Sequence, residues 1–387
     1  MSAPRLVDAP SLPTYDLGQD HVFARDRQRP LFDLMVASHL VQPGDFLPVV
    51  AATEDELALV HERAYIAMLE ATSQPHVDRE TLRRAPLYGL GTADNPIAPG
   101  QHAAAAAAVG ATLACTRAVM DGRARAAFNS AGGLHHAMPH GAAGFCLYND
   151  LAIAIADARR RGAARVLYVD FDVHHGDGVE YAFRADPTVL TISFHETPEV
   201  RFPFTGTVED RGEGPGHGYA VNVPLHPATD DASWLEAVER VLVPAARAFA
   251  PDLVVSQHGC DTHREDPLAT MECTTQSMHR AAGITRDLAR DVCQGRWVAT
   301  GGGGYQPYRV IPRAWSMVWS VMSGRPLPPR IDLGWQERWE RAAHGELPTE
   351  WYDHEEHAAR HEHAAATNRH VVDQVLAGIP WLRGSGR

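Results

Sequence analysis

Between Leu167 and Gly178 the chain reads LYVDFDVHHGDG, and no other stretch restricts its fold as much. Val166, Leu167, Tyr168, Val169 and Phe171 make the apolar run of a buried strand, the kind found inside parallel sheets. The run closes on Asp170, Asp172, His174, His175 and Asp177. Ionisable groups at the end of a core strand are costly unless paired or bound to metal, so this end is expected to carry chemistry. While the strand stays extended, Asp170, Asp172 and His174 at i, i+2 and i+4 share one face. They do so at the carboxyl end, where open parallel sheets bind ligands. Asp172 and His174 are the first candidate metal ligands.

The rest of the chain repeats the pattern of strand, loop and helix. Strands are expected at Ala124 to Asn129, Arg165 to Phe171, Thr188 to Phe194, Tyr219 to Val223, Asp252 to Gln257 and Arg296 to Thr300. Helices are expected at Leu31 to Leu40, Gln101 to Met120, Leu151 to Arg160 and Trp234 to Phe249. Another opens at Thr53, where Glu56 completes a capping box before Leu57, Val60, Ala64 and Leu69. Trp315, Val318, Trp319 and Met322 form a helical stripe suited to a core. Tyr88 to Gly100 is a loop by composition. Alternation over this length implies an α/β fold: one domain across residues 1–387, a parallel β-sheet with helices on both faces. Residues 1 to about 30 read as a strap over it, and residues 330 to 380 as a helical extension.

A formal net charge of -13 argues against nucleic acid as a partner, because grip on phosphates needs clustered Lys and Arg. Five scattered cysteines with no CxxC fit a reduced, cytoplasmic protein. The N-terminus lacks an apolar signal segment and no run approaches the length of a membrane span, so no membrane association is expected. His357 and His361, one helical turn apart in the His-rich tail, read as part of a solvated face.

The loops after the strands hold almost every unusual residue. Asp261 follows the strand DLVVSQ and is a third potential metal ligand. Two carboxylates and one imidazole neutralise a divalent ion and leave positions open for water and substrate, as in catalytic sites. Zn²⁺ fits, and Fe²⁺ or Mn²⁺ stay open on ligand softness. His135 and His136, consecutive in a Gly-rich loop, suit proton transfer, and Asp170 and Asp177 are the spare carboxylates that would orient them. Tyr305, after Gly301 to Gly304, can donate a hydrogen bond to a developing oxyanion.

GGLHHA, GFCLYND, DFDVHHGDGVE, GCDTHREDPLA and GGGGY, in this order, resemble the signatures of the zinc-dependent histone deacetylase family, which has the arginase/deacetylase fold. The match runs from about Asp16 to Ser323 and is most similar to the bacterial acetoin-utilisation branch. The resemblance implies zinc held by Asp172, His174 and Asp261, with Tyr305 polarising an acetyl carbonyl. It makes His136, paired with Asp177, the general base and later acid, and His135, paired with Asp170, a charge. Gly144, Phe145 and Phe202 would line a tunnel for a lysine stem, with Leu268 near its mouth and Asp94 binding the substrate backbone at the rim. RFPFTGT lacks the usual Pro-Gly turn, so Phe204 rivals Phe202. A structural K⁺ or Na⁺ is implied at Asp170, Asp172, His174, Ser193 and Phe194. The expected substrate is acetyl-lysine in a protein or peptide, with a small acetylated amine such as an acetylpolyamine as the alternative.

Overall fold

The computed structural model describes residues 2–18, 20–23, 26–354 and 361–384. One sheet holds β1 Arg5–Val7, β2 Phe46–Leu47, β3 Ala126–Asn129, β4 Val166–Asp170, β5 Val189–Glu196, β6 Ala220–Leu225, β7 Leu253–Gln257 and β8 Trp297–Thr300. Their order is β2-β1-β3-β8-β7-β4-β5-β6, and every neighbouring pair is parallel. The first helices are α1 Gln28–Ala37, α2 Glu54–Leu57, α3 Arg63–Thr72, α4 Arg79–Arg84, α5 Gln101–Met120 and α6 Asp150–Arg160. The later ones are α7 Asp177–Phe183, α8 Asp231–Phe249, α9 Thr275–Cys293, α10 Ile311–Ser323, α11 Leu333–Ala343 and α12 Glu362–Gly378.

Side chains along a strand alternate between faces, so burial of both faces requires two cores. In β4, Leu167 and Val169 join a core with Leu31 of α1, Trp234 and Val238 of α8, Ala281 of α9 and Trp315 of α10. Val166 and Tyr168 join another with Ala111 and Cys115 of α5, Leu151 and Ile155 of α6 and Val179 of α7. Helices therefore cover both faces, as the alternating sequence requires.

Four strands stop at one level, which β5 passes at Ser193. Asn129 of β3 pairs with Thr300 of β8, Thr300 with Gln257 of β7, Gln257 with Asp170 of β4, and Asp170 with Ser193 of β5. This buried polar row is where the apolar sheet ends and the loops with chemistry begin.

Four expectations need correction. The N-terminal strap contains β1, whose Leu6 and Val7 are fully buried between β2 and β3; three residues are too short for a periodic signal. The segment from Thr53 is two helices: the capping box forms, but α2 stops at Leu57 and α3 starts again at Arg63. His195 lies within β5 rather than after it. Finally, α5 is, by length and composition, long and apolar enough to cross a membrane, although most of it is buried inside the fold. Of the tail pair, His357 lies outside the described residues.

Candidate active site

The loops after β3, β8, β7 and β4, four adjoining strands, meet above the polar row. The loop after β3 is shaped by the start of α6. The Asp150 carboxylate accepts the N–H groups of Gly133 (3.1 Å) and Leu134 (2.8 Å). The Asn149 amide donates to the carbonyls of His135 (3.0 Å) and Ala137 (3.1 Å). These bonds fix the two histidines. His135 Nδ1 lies 2.7 Å from Asp170 Oδ2, His136 Nδ1 lies 2.7 Å from Asp177 Oδ1, and the two Nε2 atoms are 3.0 Å apart.

Burial disfavours charge on both rings. At His135 the carboxylates of Asp170 and Asp172 outweigh it and lift the pKa to about 9. At His136 burial and the neighbouring His135 charge prevail over Asp177 and lower it to about 4. The two environments thus favour charge on the first ring and the neutral form of the second.

Asp172, His174 and Asp261 are all buried, and their ligating atoms lie within 4.8 Å of one another. Asp172 Oδ2 accepts Gln257 Nε2 (2.6 Å) and the Gly303 N–H (2.7 Å), while Asp261 Oδ1 accepts the Val173 N–H (3.0 Å). Those bonds leave Asp172 Oδ1 and Asp261 Oδ2 turned toward His174 Nδ1, at 3.0 and 3.1 Å. Burial and the Asp172 charge push Asp261 up to about 6, whereas Asp172 is held well below the usual carboxylate range by His135 and His174 despite its burial. Gly303 approaches so closely that a Cβ there would stand 2.0 Å from Asp261 Oδ2 and 2.7 Å from Asp172 Oδ2. Two buried carboxylates converging on one imidazole in a cradle this tight fit a divalent cation, which would compensate their charge.

Tyr305 closes the site from the β8 loop. Its N–H donates to Asp266 Oδ2 (2.9 Å), and the preceding Gly304 carbonyl accepts Arg27 (3.3 Å). Arg27 lies over the rings of Phe23 (3.8 Å) and Trp315 (5.1 Å). Burial, then the charges of Asp261 and Asp172, push the phenol well above its ordinary pKa, so it remains a donor.

The aromatic residues settle which phenylalanine faces inward. The Phe202 ring stands edge-on to His136 at 5.0 Å, whereas Phe204 is 65% exposed. Gly144 has φ +49°, and a Cβ on it would meet His136 at 2.4 Å and Phe202 at 2.8 Å. Phe145 packs edge-on against Tyr305 at 5.8 Å and against His21 at 4.7 Å. Asp94 is exposed, with its backbone beside His21. Leu268 is half-buried; its N–H donates to Asp266 Oδ1 (3.0 Å) and its carbonyl accepts Arg201. Asp170 and Ser193, expected around a monovalent cation, are register partners on β4 and β5, and Phe194 and His174 follow on the same two strands or their loops.

Sequence reasoning missed Gln257, Asn149, Asp150, Asp266 and Arg27, which hold the reactive groups rather than react. Asp266 had a visible signal as a further carboxylate five residues past Asp261, next to Glu265. Arg27 had none, since its partners are remote in sequence.

The histone deacetylase domain family matches residues 21–322. Acetoin utilization protein AcuC of Bacillus subtilis (strain 168) is 40% identical over 347 residues, covering 90% of this chain and 89% of that one. AcuC of Staphylococcus xylosus is 35% identical over 376 residues, covering 96% and 97%. A crystal structure of an HDAC homolog from Aquifex aeolicus superposes with a TM-score of 0.83 at 29% identity, covering 98% of this chain and 100% of that one. The fold is thus the arginase/deacetylase fold expected from the motifs, and the chain belongs to the histone deacetylase family.

Proposed function

We propose that this deacetylase-family hydrolase is a zinc-dependent enzyme that removes the acetyl group from Nε-acetyl-lysine of proteins or peptides and releases acetate. The observation that carries the reading is the pair of buried His–Asp dyads next to the Asp172, His174 and Asp261 cluster. These three residues would hold the zinc, which when bound would polarise the amide carbonyl and acidify a water molecule. His136, neutral and oriented through Nδ1 by Asp177, accepts the proton of the attacking water at Nε2. The water oxygen bonds to the carbonyl carbon, and the Tyr305 hydroxyl donates to the oxygen that gains charge. His136 then passes its proton to the amine as the carbon–nitrogen bond breaks. His135 contributes positive charge beside the developing anion and exchanges no proton with substrate.

Phe145 and Phe202 would flank the methylene stem, Gly144 would leave room for it, and Leu268 and Asp94 would meet the substrate at the rim. Asp170, Asp172, His174, Ser193 and Phe194 would hold K⁺ or Na⁺. The test is acetate release by zinc-loaded protein from an acetyl-lysine peptide and from an acetylated polyamine at equal concentration. Faster turnover of the peptide is expected. Faster turnover of the polyamine would overturn the substrate assignment, and no release from either would overturn the activity.

A further inference from the structure

The family match ends at residue 322, yet a residue well beyond it reaches the elements that carry the site. The Asp353 side chain is only 7% exposed, and its carboxylate is gripped from three directions. Oδ1 accepts both terminal nitrogens of Arg313, in the first turn of α10, at 3.0 Å each. Oδ2 accepts His263 Nε2 (3.0 Å) and, at the start of α9, the Thr275 N–H (3.0 Å) and hydroxyl (2.9 Å). The Gln276 side chain fixes the Asp353 main chain by donating to its carbonyl (2.6 Å) and accepting its N–H (3.2 Å).

Two of these partners lead directly to the site. His263 is fully buried, two residues past Asp261, and its Nδ1 accepts the Glu265 N–H (3.1 Å). Arg313 lies eight residues past Tyr305, and its Nε donates to the Arg309 carbonyl (2.7 Å). Arg309 in turn pairs with Glu265 at 2.6 Å. The loop that carries Asp261 and the segment that follows Tyr305 are therefore joined by Glu265–Arg309, by Gln306 Nε2 donating to the Glu265 carbonyl (2.8 Å), and through Asp353. The joint through Asp353 is the drier one, and removing its carboxylate would leave a buried guanidinium without a counter-charge and the His263 Nε2–H without an acceptor.

We infer that Asp353 is a positioning residue of the active site, holding His263 and Arg313 so that Asp261 and Tyr305 keep their mutual placement. The inference rests on the reading of Asp261 as a metal ligand and Tyr305 as the oxyanion donor. Ligand-supporting partners of this kind typically cost about 10- to 100-fold in metal affinity or activity when lost.

A bolt that merely fastens the C-terminal extension would behave differently, and Asn368 supplies the comparison. It is buried in α12 and anchors the same extension through Thr229 Oγ1 (2.9 Å), Ser233 Oγ (2.8 Å) and the His226 N–H (2.8 Å), none of them in the site. Asp353→Asn and Asn368→Ala are compared with the wild type in full-length, zinc-loaded protein. Both are expected to lower Tm. Asp353→Asn alone is expected to lower kcat by about tenfold or more, with KM within about twofold, and to release zinc faster to a chelating dye. Wild-type zinc retention and kcat in Asp353→Asn, or the same losses in Asn368→Ala, would overturn the inference. If Asp353→Asn does not fold, Arg313→Lys, which keeps the charge but loses the two-pronged bond, is read by the same criteria. Zinc release needs no substrate, so failure of the wild type to release acetate would overturn the proposed activity and leave this test standing.

Discussion

His135 Nε2 and His136 Nε2 stand 3.0 Å apart. Each ring is held from behind by its own aspartate, at 2.7 Å in both cases. What separates them is the field. His135 has Asp170 on its Nδ1 and Asp172 Oδ1 3.9 Å from its Nε2, while His136 has one carboxylate and His135 as its neighbour. Two adjacent histidines are thus shifted in opposite directions, which suits the opposite roles proposed for them.

His136→Ala should therefore lower kcat by about 10²- to 10⁴-fold, the usual worth of a positioned general base. Zinc content should stay at the wild-type level, because His136 is outside the ligand cluster. Steady-state kinetics and metal analysis of the same preparation decide this; a variant with near-normal kcat would remove His136 from the reaction.

Tyr305→Phe removes one hydroxyl from the closing wall and leaves the Asp266 and Arg27 contacts, which involve the backbone around it. Loss of an oxyanion donor costs about 10²- to 10³-fold in kcat. A fall of that size with little change in KM and full zinc occupancy is expected. A larger change in KM than in kcat would instead mark the phenol as a ground-state binding group.

The strand ends and their ionisable residues were legible because burial makes such residues after apolar runs conspicuous. Asp170, Asp172 and Asp261 needed no remote information to stand out. β1 was not legible: its Leu6 and Val7 look like any two apolar residues in a polar segment until β2 and β3 flank them. The choice between Phe202 and Phe204 was equally closed to local reasoning. Residues two apart in an irregular loop follow no fixed period, and only contact with His136 and Gly144 separates them. Asp353 lay outside every motif, and its partners at 263, 275 and 313 are brought to it by tertiary structure alone.

Gly303→Ala is predicted to empty the metal cluster while sparing the fold. The added methyl would overlap the Asp261 and Asp172 oxygens at 2.0 and 2.7 Å, and those side chains are pinned by Val173, Gln257 and the Gly303 N–H itself. Relief requires a ligand oxygen to swing away. Zinc titration should show affinity reduced by about 10-fold or more, with far-UV circular dichroism unchanged. Wild-type zinc affinity would mean the cradle has more slack than its geometry indicates.

The same loop that holds the histidine pair should set an acid limit on stability. His61 is buried, its Nδ1 donating to the Met138 carbonyl (3.0 Å) and its Nε2 accepting the Asn149 N–H (2.9 Å). Asn149 in turn holds the carbonyls of His135 and Ala137. Nε2 must stay unprotonated to accept, and burial lowers the His61 pKa to about 4. The unfolded chain keeps an ordinary histidine value near 6.5. Between those two values the unfolded state binds the proton that the folded state refuses, so stability falls as pH drops through this window and levels off, for this group, below about 4. The slope from one such histidine is about 1 kcal/mol per pH unit. Urea unfolding from pH 7 to pH 4.5 should show this decline in the wild type. His61→Gln, which can still accept the Asn149 N–H but has no proton to gain, should show a shallower decline from a lower starting stability. An identical slope in both proteins would mean that His61 does not titrate on unfolding.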